Sequence, residues 1–320
     1  MLKILIMLAS LTVALSTGGW IKHPAVREQI SSDDSFIVGI FRPDGVIVPF
    51  AHYSNRKWTN PWHAPQPSDQ AAEPETIADL SKPWYESSLK PSSEWYLLLS
   101  SGDARSVRTS KNVQVCSHCQ HVWGLLTDYP DPKQPEKNSC VRNLAVAFSQ
   151  KTDARAMEQL TNASPDWKQV MTWLRPSFER AEKTGLAGKL IQEYSRHVPP
   201  AEERAKSPVS IINLYRVQLG NAALFHFAAS KQYPGCYISL LDGWALRDAL
   251  GKLVMLHSQF SPTDCDMKEG DLILPFAILQ LDGKTFAIVE EDSYEGESYT
   301  ILEIRKNEVR RVLETIAGSC

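Results

Sequence analysis

Three Asp-Gly pairs set between apolar runs constrain this chain more than any other feature, because each is the sequence form of a tight antiparallel hairpin. The apolar run 36–41 meets Pro43-Asp44-Gly45 and returns over 46–53, and a polar turn at Ser54-Asn55-Arg56 leads into 57–62. A three-stranded antiparallel meander is the expected result. Asp242-Gly243 stands between the runs 237–241 and 244–250, and Asp282-Gly283 between 274–281 and 286–290. Further strands are expected at 95–99, 106–109 and 113–116, with turns at Ser101-Gly102-Asp103 and Lys111-Asn112, and at 211–219, 223–229 and 253–257. From 274 onward four strands follow in series, 274–281, 286–290, 299–304 and 309–314, within the length of one β-propeller blade.

The middle of the chain changes period. Ser164 as N-cap and Pro165 at the first helical position begin a helix with Trp167, Val170, Met171 and Leu174 at three- and four-residue spacing, which Pro176 should end or kink. A further helical stretch takes in Phe178, Ala181 and 186–194, so 152–197 reads as a short α-helical insertion in a mainly β, antiparallel chain. Residues 63–93 hold Pro65, Pro67, Pro74, Pro83 and Pro91, the composition of an irregular covering segment anchored by Trp84 and Tyr85. Setting aside 151–206 and the leader described next leaves about 248 residues, enough for five to six blades at roughly 43 residues each. The expected architecture is one propeller-like domain over 17–320, with a barrel or sandwich carrying the helices at one end as the alternative.

Residues 1–16 have the form of a secretory signal peptide: Lys3, then an apolar run from Ile4 to Leu15, then Ala14-Leu15-Ser16 as a processing site. Cleavage after Ser16 would expose Thr17 and leave a mature chain of about 304 residues with a formal charge of −4, from 33 basic and 37 acidic groups. The apolar run is shorter than the roughly 18 residues a membrane span needs, so no transmembrane anchor is expected. The expected location is extracellular or periplasmic, where thiols oxidise and six cysteines read as disulfides. Cys116, Cys119 and Cys140 fall in the first half and Cys236, Cys265 and Cys320 in the second, so full pairing requires at least one bond between halves. Cys236 to Cys265 is the expected bond within the second half, which leaves one of the first three for Cys320. The motif Cys116-Ser117-His118-Cys119-Gln120-His121 also permits a zinc site or a redox pair, whereas haem attachment fails because Gln120 separates Cys119 from His121.

The stretch Leu281-Asp282-Gly283-Lys284-Thr285-Phe286-Ala287-Ile288-Val289, with Tyr294-Glu295-Gly296 and Tyr299, resembles a degenerate propeller repeat of the FG-GAP or VCBS type. The resemblance covers 272–320 and implies binding or scaffolding. It carries no catalytic residues, and the family's Asp-x-Asp-x-Asp-Gly calcium motif is reduced here to Asp282-Gly283.

Charge near balance and no basic stripe argue against a nucleic-acid partner. Nucleophile elbows, phosphate loops, dinucleotide fingerprints and His-Glu-x-x-His are absent from the sequence. No cofactor is expected; calcium has candidate ligands at Asp264 with Asp266 and at Glu290, Glu291 and Asp292, which otherwise read as solvated strand ends and turns. Asn162-Ala163-Ser164 is a formal glycosylation acceptor. Nine tryptophans offer stacking surfaces or core filling. Trp58 and Trp62, four apart on an extended segment, would form a two-ring platform edged by Asn60 and His63, unless both rings pack under 63–93. The sequence thus points to an exported binding or scaffold protein for a protein or carbohydrate ligand. A carboxylate-based hydrolase of saccharides is the alternative.

Overall fold

Backbone sterics at the turns decide where this chain reverses. Gly45 (φ 81°) follows Pro43-Asp44, and Asp282 and Gly283 (φ 49° and 72°) form the paired left-handed turn that matches strand twist. Asn55 and Arg56 (φ 50° and 61°) do the same without glycine. The computed structural model describes residues 35–61, 78–79, 94–117, 120–130, 145–186, 199–235, 237–264, 272–292, 296–306 and 308–319. All described strand pairings are antiparallel, and the fold is mainly β with two described helices.

The first sheet, A, has eight strands: β1 (Phe36–Phe41), β2 (Val46–Ser54), β3 (Lys57–Thr59), β4 (Ala78–Asp79), β5 (Glu94–Leu99), β6 (Ala104–Ser117), β7 (Gln120–Thr127) and β8 (Ala145–Phe148). A strap follows, with β9 (Ala154–Ala156) and β10 (Glu158–Gln159), then helix α1 (Pro165–Gly185) and the short α2 (Ala201–Lys206). Sheet C is the meander β11 (Ser210–Leu219), β12 (Ala222–Tyr233), β13 (Tyr237–Arg247) and β14 (Leu253–Asp264), edged by β10. Sheet B is the meander β15 (Leu272–Leu281), β16 (Lys284–Asp292), β17 (Gly296–Arg305) and β18 (Glu308–Ser319), edged by β9.

Side-chain alternation along these strands builds a stack of layers. Ala277, Leu279, Phe286, Ile288 and Ile301 of sheet B pack on Val38, Ile40, Phe50 and Phe148 of sheet A. The opposite face of sheet B, with Ile278, Ala287, Val289 and Leu302, packs on Val217, Leu224, Trp244 and Leu256 of sheet C. Sheet C in turn buries Phe225, Phe227, Leu241 and Ala245 against Val170, Leu174 and Phe178 of α1. The order is therefore sheet A, sheet B, sheet C, helix. Ties between layers add specificity: the Tyr53 hydroxyl donates to Asp282 (2.7 Å) and the Thr315 hydroxyl to the Phe50 carbonyl (2.9 Å). The strap joins two layers, with Met157 N–H donating to the Phe276 carbonyl of β15 (2.9 Å) and Leu160 N–H to the Leu214 carbonyl of β11 (2.8 Å).

Several sequence expectations need correction. The described strands make three antiparallel sheets. Asp242-Gly243 is no turn but the centre of the continuous strand β13, and the reversals lie at Gly235 (φ 83°) and Gly251 (φ 82°). Gly243 is required there for closeness: an added Cβ would come 2.5 Å from the His257 carbonyl oxygen and 2.8 Å from the Phe227 ring. Lys111-Asn112 likewise lies inside β6, where the register shifts between Thr109 and Lys111. Pro176 neither ends nor divides α1. It sits on the exposed face, as does Thr172 one turn before it, while Leu174 and Phe178 on either side stay buried on sheet C. The insertion begins with the strap strands rather than with helix, and the helical expectation over 187–194 lies outside the described residues.

Candidate functional site

Helix α1 is held to sheet C at both ends by charge. Asp166, in its first turn, accepts from Arg216 Nη1 (2.6 Å) and Arg247 Nη1 (2.5 Å). Arg216 also reaches Glu158 (2.6 Å), and the Arg247 guanidinium lies 5.2 Å over the Phe225 ring. Burial by itself would raise the Asp166 pKa, but the hydrogen bonds from Arg247 and Arg216 outweigh it and hold the carboxyl below its ordinary value. Asp166→Asn should therefore lower unfolding free energy by about 1–3 kcal/mol at neutral pH. A folded pKa below the unfolded one, about 3.9, gives stability that is present above that value and lost as pH falls through the folded pKa. The gap between wild type and variant should accordingly narrow in urea titrations taken from pH 6 towards pH 2.

At the other end the buried Glu182 accepts from the Tyr233 hydroxyl and from Lys231 Nζ (3.1 Å), with Arg204 Nε of α2 at 4.0 Å. Lys231 also donates to the Arg204 carbonyl (3.4 Å) and sits 5.6 Å over the Phe178 ring, and Ser239 Oγ lies 3.3 Å from the Tyr233 hydroxyl. Burial first, and then the hydrogen bond to Glu182, push the Tyr233 phenol well above the ordinary tyrosine range. Ser, Tyr and Lys could serve proton transfer elsewhere. Here Glu182 occupies the Tyr and Lys groups, and the cluster fastens the helix.

A third polar group differs because its atoms are incompletely used. Antiparallel register aligns Tyr215, His226 and Trp244 in one row across β11, β12 and β13, on the face that meets sheet B. His226 is wholly buried, with Nε2 3.1 Å from Asp242 Oδ1 and its ring edge-on to Trp244 at 4.8 Å. Asp242 lies two residues before Trp244 on the same face of β13. His226 Nδ1, Asp242 Oδ2 and Trp244 Nε1 are buried without a hydrogen-bond partner, as is Thr300 Oγ1 on the facing side of β17. A carboxylate that orients a histidine is the layout of a general base, but this dyad is enclosed between two sheets. The signal for it was present in the sequence: His226 is the one polar residue within 222–229, Ala-Ala-Leu-Phe-His-Phe-Ala-Ala.

The residues singled out from sequence fall elsewhere. Trp58 is half-buried against Phe36 (5.9 Å), Tyr53 (4.8 Å) and Phe286 (5.5 Å), as part of the packing between sheets A and B, with Asn60 exposed two residues on. Trp62 and His63 lie outside the described residues, as do Cys119, Cys140, Cys236, Cys265 and Cys320, the proposed disulfides and Asp266. Of the Cys-x-x-Cys segment, Cys116 is placed by its backbone, opposite His121 in the β6–β7 hairpin. Glu291 accepts from Arg311 Nη2 (2.5 Å), and among the described residues no three metal-ligating side chains come together. Also among these residues, no helix is long and apolar enough to cross a membrane. No protein-family model matches the chain, and no curated protein or solved structure is significantly similar to it.

Proposed function

We propose that this is an exported binding or scaffold protein whose layered β framework presents surface to a protein or carbohydrate ligand. The observation that carries the reading is the pairing of five buried or half-buried acids with cations. Asp44 is held by Arg42, Asp166 by Arg216 and Arg247, Glu182 by Lys231, Glu291 by Arg311 and Glu303 by Arg305. Saccharide hydrolysis needs two carboxyl groups facing each other across a groove, one of them free to hold a proton. Carboxylates fixed by cations serve architecture. The two four-strand meanders β11–β14 and β15–β18, stacked face to face, support a propeller-like relation between them, in keeping with the resemblance of 272–320 to a worn repeat.

The test uses protein processed at Thr17, the start expected of the exported form. Retardation in gels containing a panel of soluble polysaccharides, or capture of a protein from the medium of the producing cell, is the expected result, with no release of reducing ends over many hours. Steady release of reducing ends would overturn the reading in favour of a hydrolase.

A further inference from the structure

Resting on the carbohydrate side of the reading above, we infer that the outward face of α1 is a binding surface whose ligand is an acidic polysaccharide. The argument is one of charge segregation. Of the three acids on the helix, Asp166 and Glu182 turn inward and are neutralised by sheet C, Asp166 by Arg216 and Arg247 and Glu182 by Lys231. The four basic residues of the helix, Lys168, Arg175, Arg180 and Lys183, are all exposed, and one exposed carboxylate, Glu179, stands beside them. Among the described residues none of the four is within ion-pair distance of an acid, and Arg180 donates to the Ser177 hydroxyl (3.1 Å). In a chain of formal net charge −3, the outermost layer of the stack therefore presents a surplus of positive charge. The sequence hides this surplus, because the four cations are spread over 16 residues among the apolar positions that meet sheet C.

Spacing selects the polymer. Lys168, Arg175 and Lys183 follow one another at seven and eight residues, close to two turns each, so cations recur about every 10–12 Å along the axis. A linear polysaccharide with one carboxylate per disaccharide carries its charge at a comparable interval. Duplex nucleic acid is far denser, at roughly one charge per 1.7 Å of axis, and would leave most phosphates over the helix without a cation. A membrane surface calls for apolar side chains on the same face to enter the acyl boundary. Here the exposed residues between the cations are Gln169, Thr172, Pro176 and Thr184, and Trp167 and Trp173 pack towards sheet C.

Surface plasmon resonance of the intact protein over immobilised hyaluronate, which has one carboxylate per disaccharide and no sulfate, tests this against neutral dextran. Binding to hyaluronate that weakens with added salt, with none to dextran, is expected. The Lys168→Gln, Arg175→Gln, Arg180→Gln, Lys183→Gln variant should bind about tenfold more weakly, since each exposed ion contact contributes modestly. It should fold as the wild type does, because all four sites are exposed; should it not, the Arg175→Gln, Lys183→Gln pair decides. Changing the exposed Lys57, Arg105, Lys252 and Lys306 to Gln alters net charge equally and should leave binding unchanged. Equal loss in both quadruple variants would overturn the inference, as would tighter binding to duplex DNA or to phosphatidylglycerol vesicles than to hyaluronate. Binding to dextran that survives the α1 substitutions would also overturn it, while leaving the broader reading in place. A wild-type protein that binds no polysaccharide would remove the inference together with the carbohydrate side of that reading.

Discussion

Replacing Glu182 by Ala is expected to destabilise the protein by about 3–5 kcal/mol, the usual cost of leaving a buried charge unpaired. Lys231 is 3 % exposed and Glu182 is its carboxylate partner at 3.1 Å, so the ammonium would keep the Arg204 carbonyl as a described acceptor and no counter-charge. The Tyr233 phenol would lose its acceptor at the same time. The effect belongs to the broken pair, which a second variant shows. Changing Glu182 and Lys231 together to Met should recover most of the loss, because apolar residues of similar volume often replace buried ion pairs at little cost. Guanidinium unfolding followed by far-ultraviolet circular dichroism reads both. A double variant no more stable than Glu182→Ala would show that the clamp contributes through something other than charge pairing.

Phe225→Ala should cost a similar amount, about 3–5 kcal/mol, by a different route. The ring is fully buried between sheet C and α1, among Leu214, Ala223, Phe227 and Ala245, and the Arg247 guanidinium lies over it. Truncation leaves a cavity under a helix that already carries Pro176, and removes the surface on which Arg247 rests before it reaches Asp166. Phe225→Leu, which keeps most of the volume, should cost less than about 1.5 kcal/mol. If the two substitutions are equally damaging, the cost lies with the cation over the ring, and cavity volume is not the cause.

The local geometry of this fold was legible where a residue's conformation settles the matter alone. Pro43-Asp44-Gly45 and Asp282-Gly283 reverse the chain because their backbones reach positive φ, and the four closing strands follow from alternation between such turns. Gly243 was misread because it serves a distance instead of an angle. What it accommodates is the His257 carbonyl on the neighbouring strand, which local sequence does not reveal. That Pro176 does not end α1 has a related reason: whether a proline breaks a helix depends on which face it occupies, and that face is set by what Leu174 and Phe178 find on sheet C. His226 is a polar residue in an apolar run, a signal the sequence reading passed over, and its partner Asp242 was assigned to a turn. The helix clamps were hidden because Asp166 meets Arg216 and Arg247 from 50 and 81 residues away.

The strap at 154–159 has a consequence for how the molecule is made. Glu158 pairs with Arg216 and Ala156 with Ala277, so a chain emerging N-terminus first waits about 60 residues for one partner and about 120 for the other. Doubling a loop adds only about 0.6 kcal/mol of closure entropy, which gives weak thermodynamic preference to either pairing. During synthesis, however, the sequence of events is fixed. Sheet C is the first to have its edge partner, and it stands with its Trp244 face uncovered until β15 to β18 arrive. In that interval the row of Tyr215, His226 and Trp244 is a surface, and it becomes an interior only with roughly the last sixth of the chain.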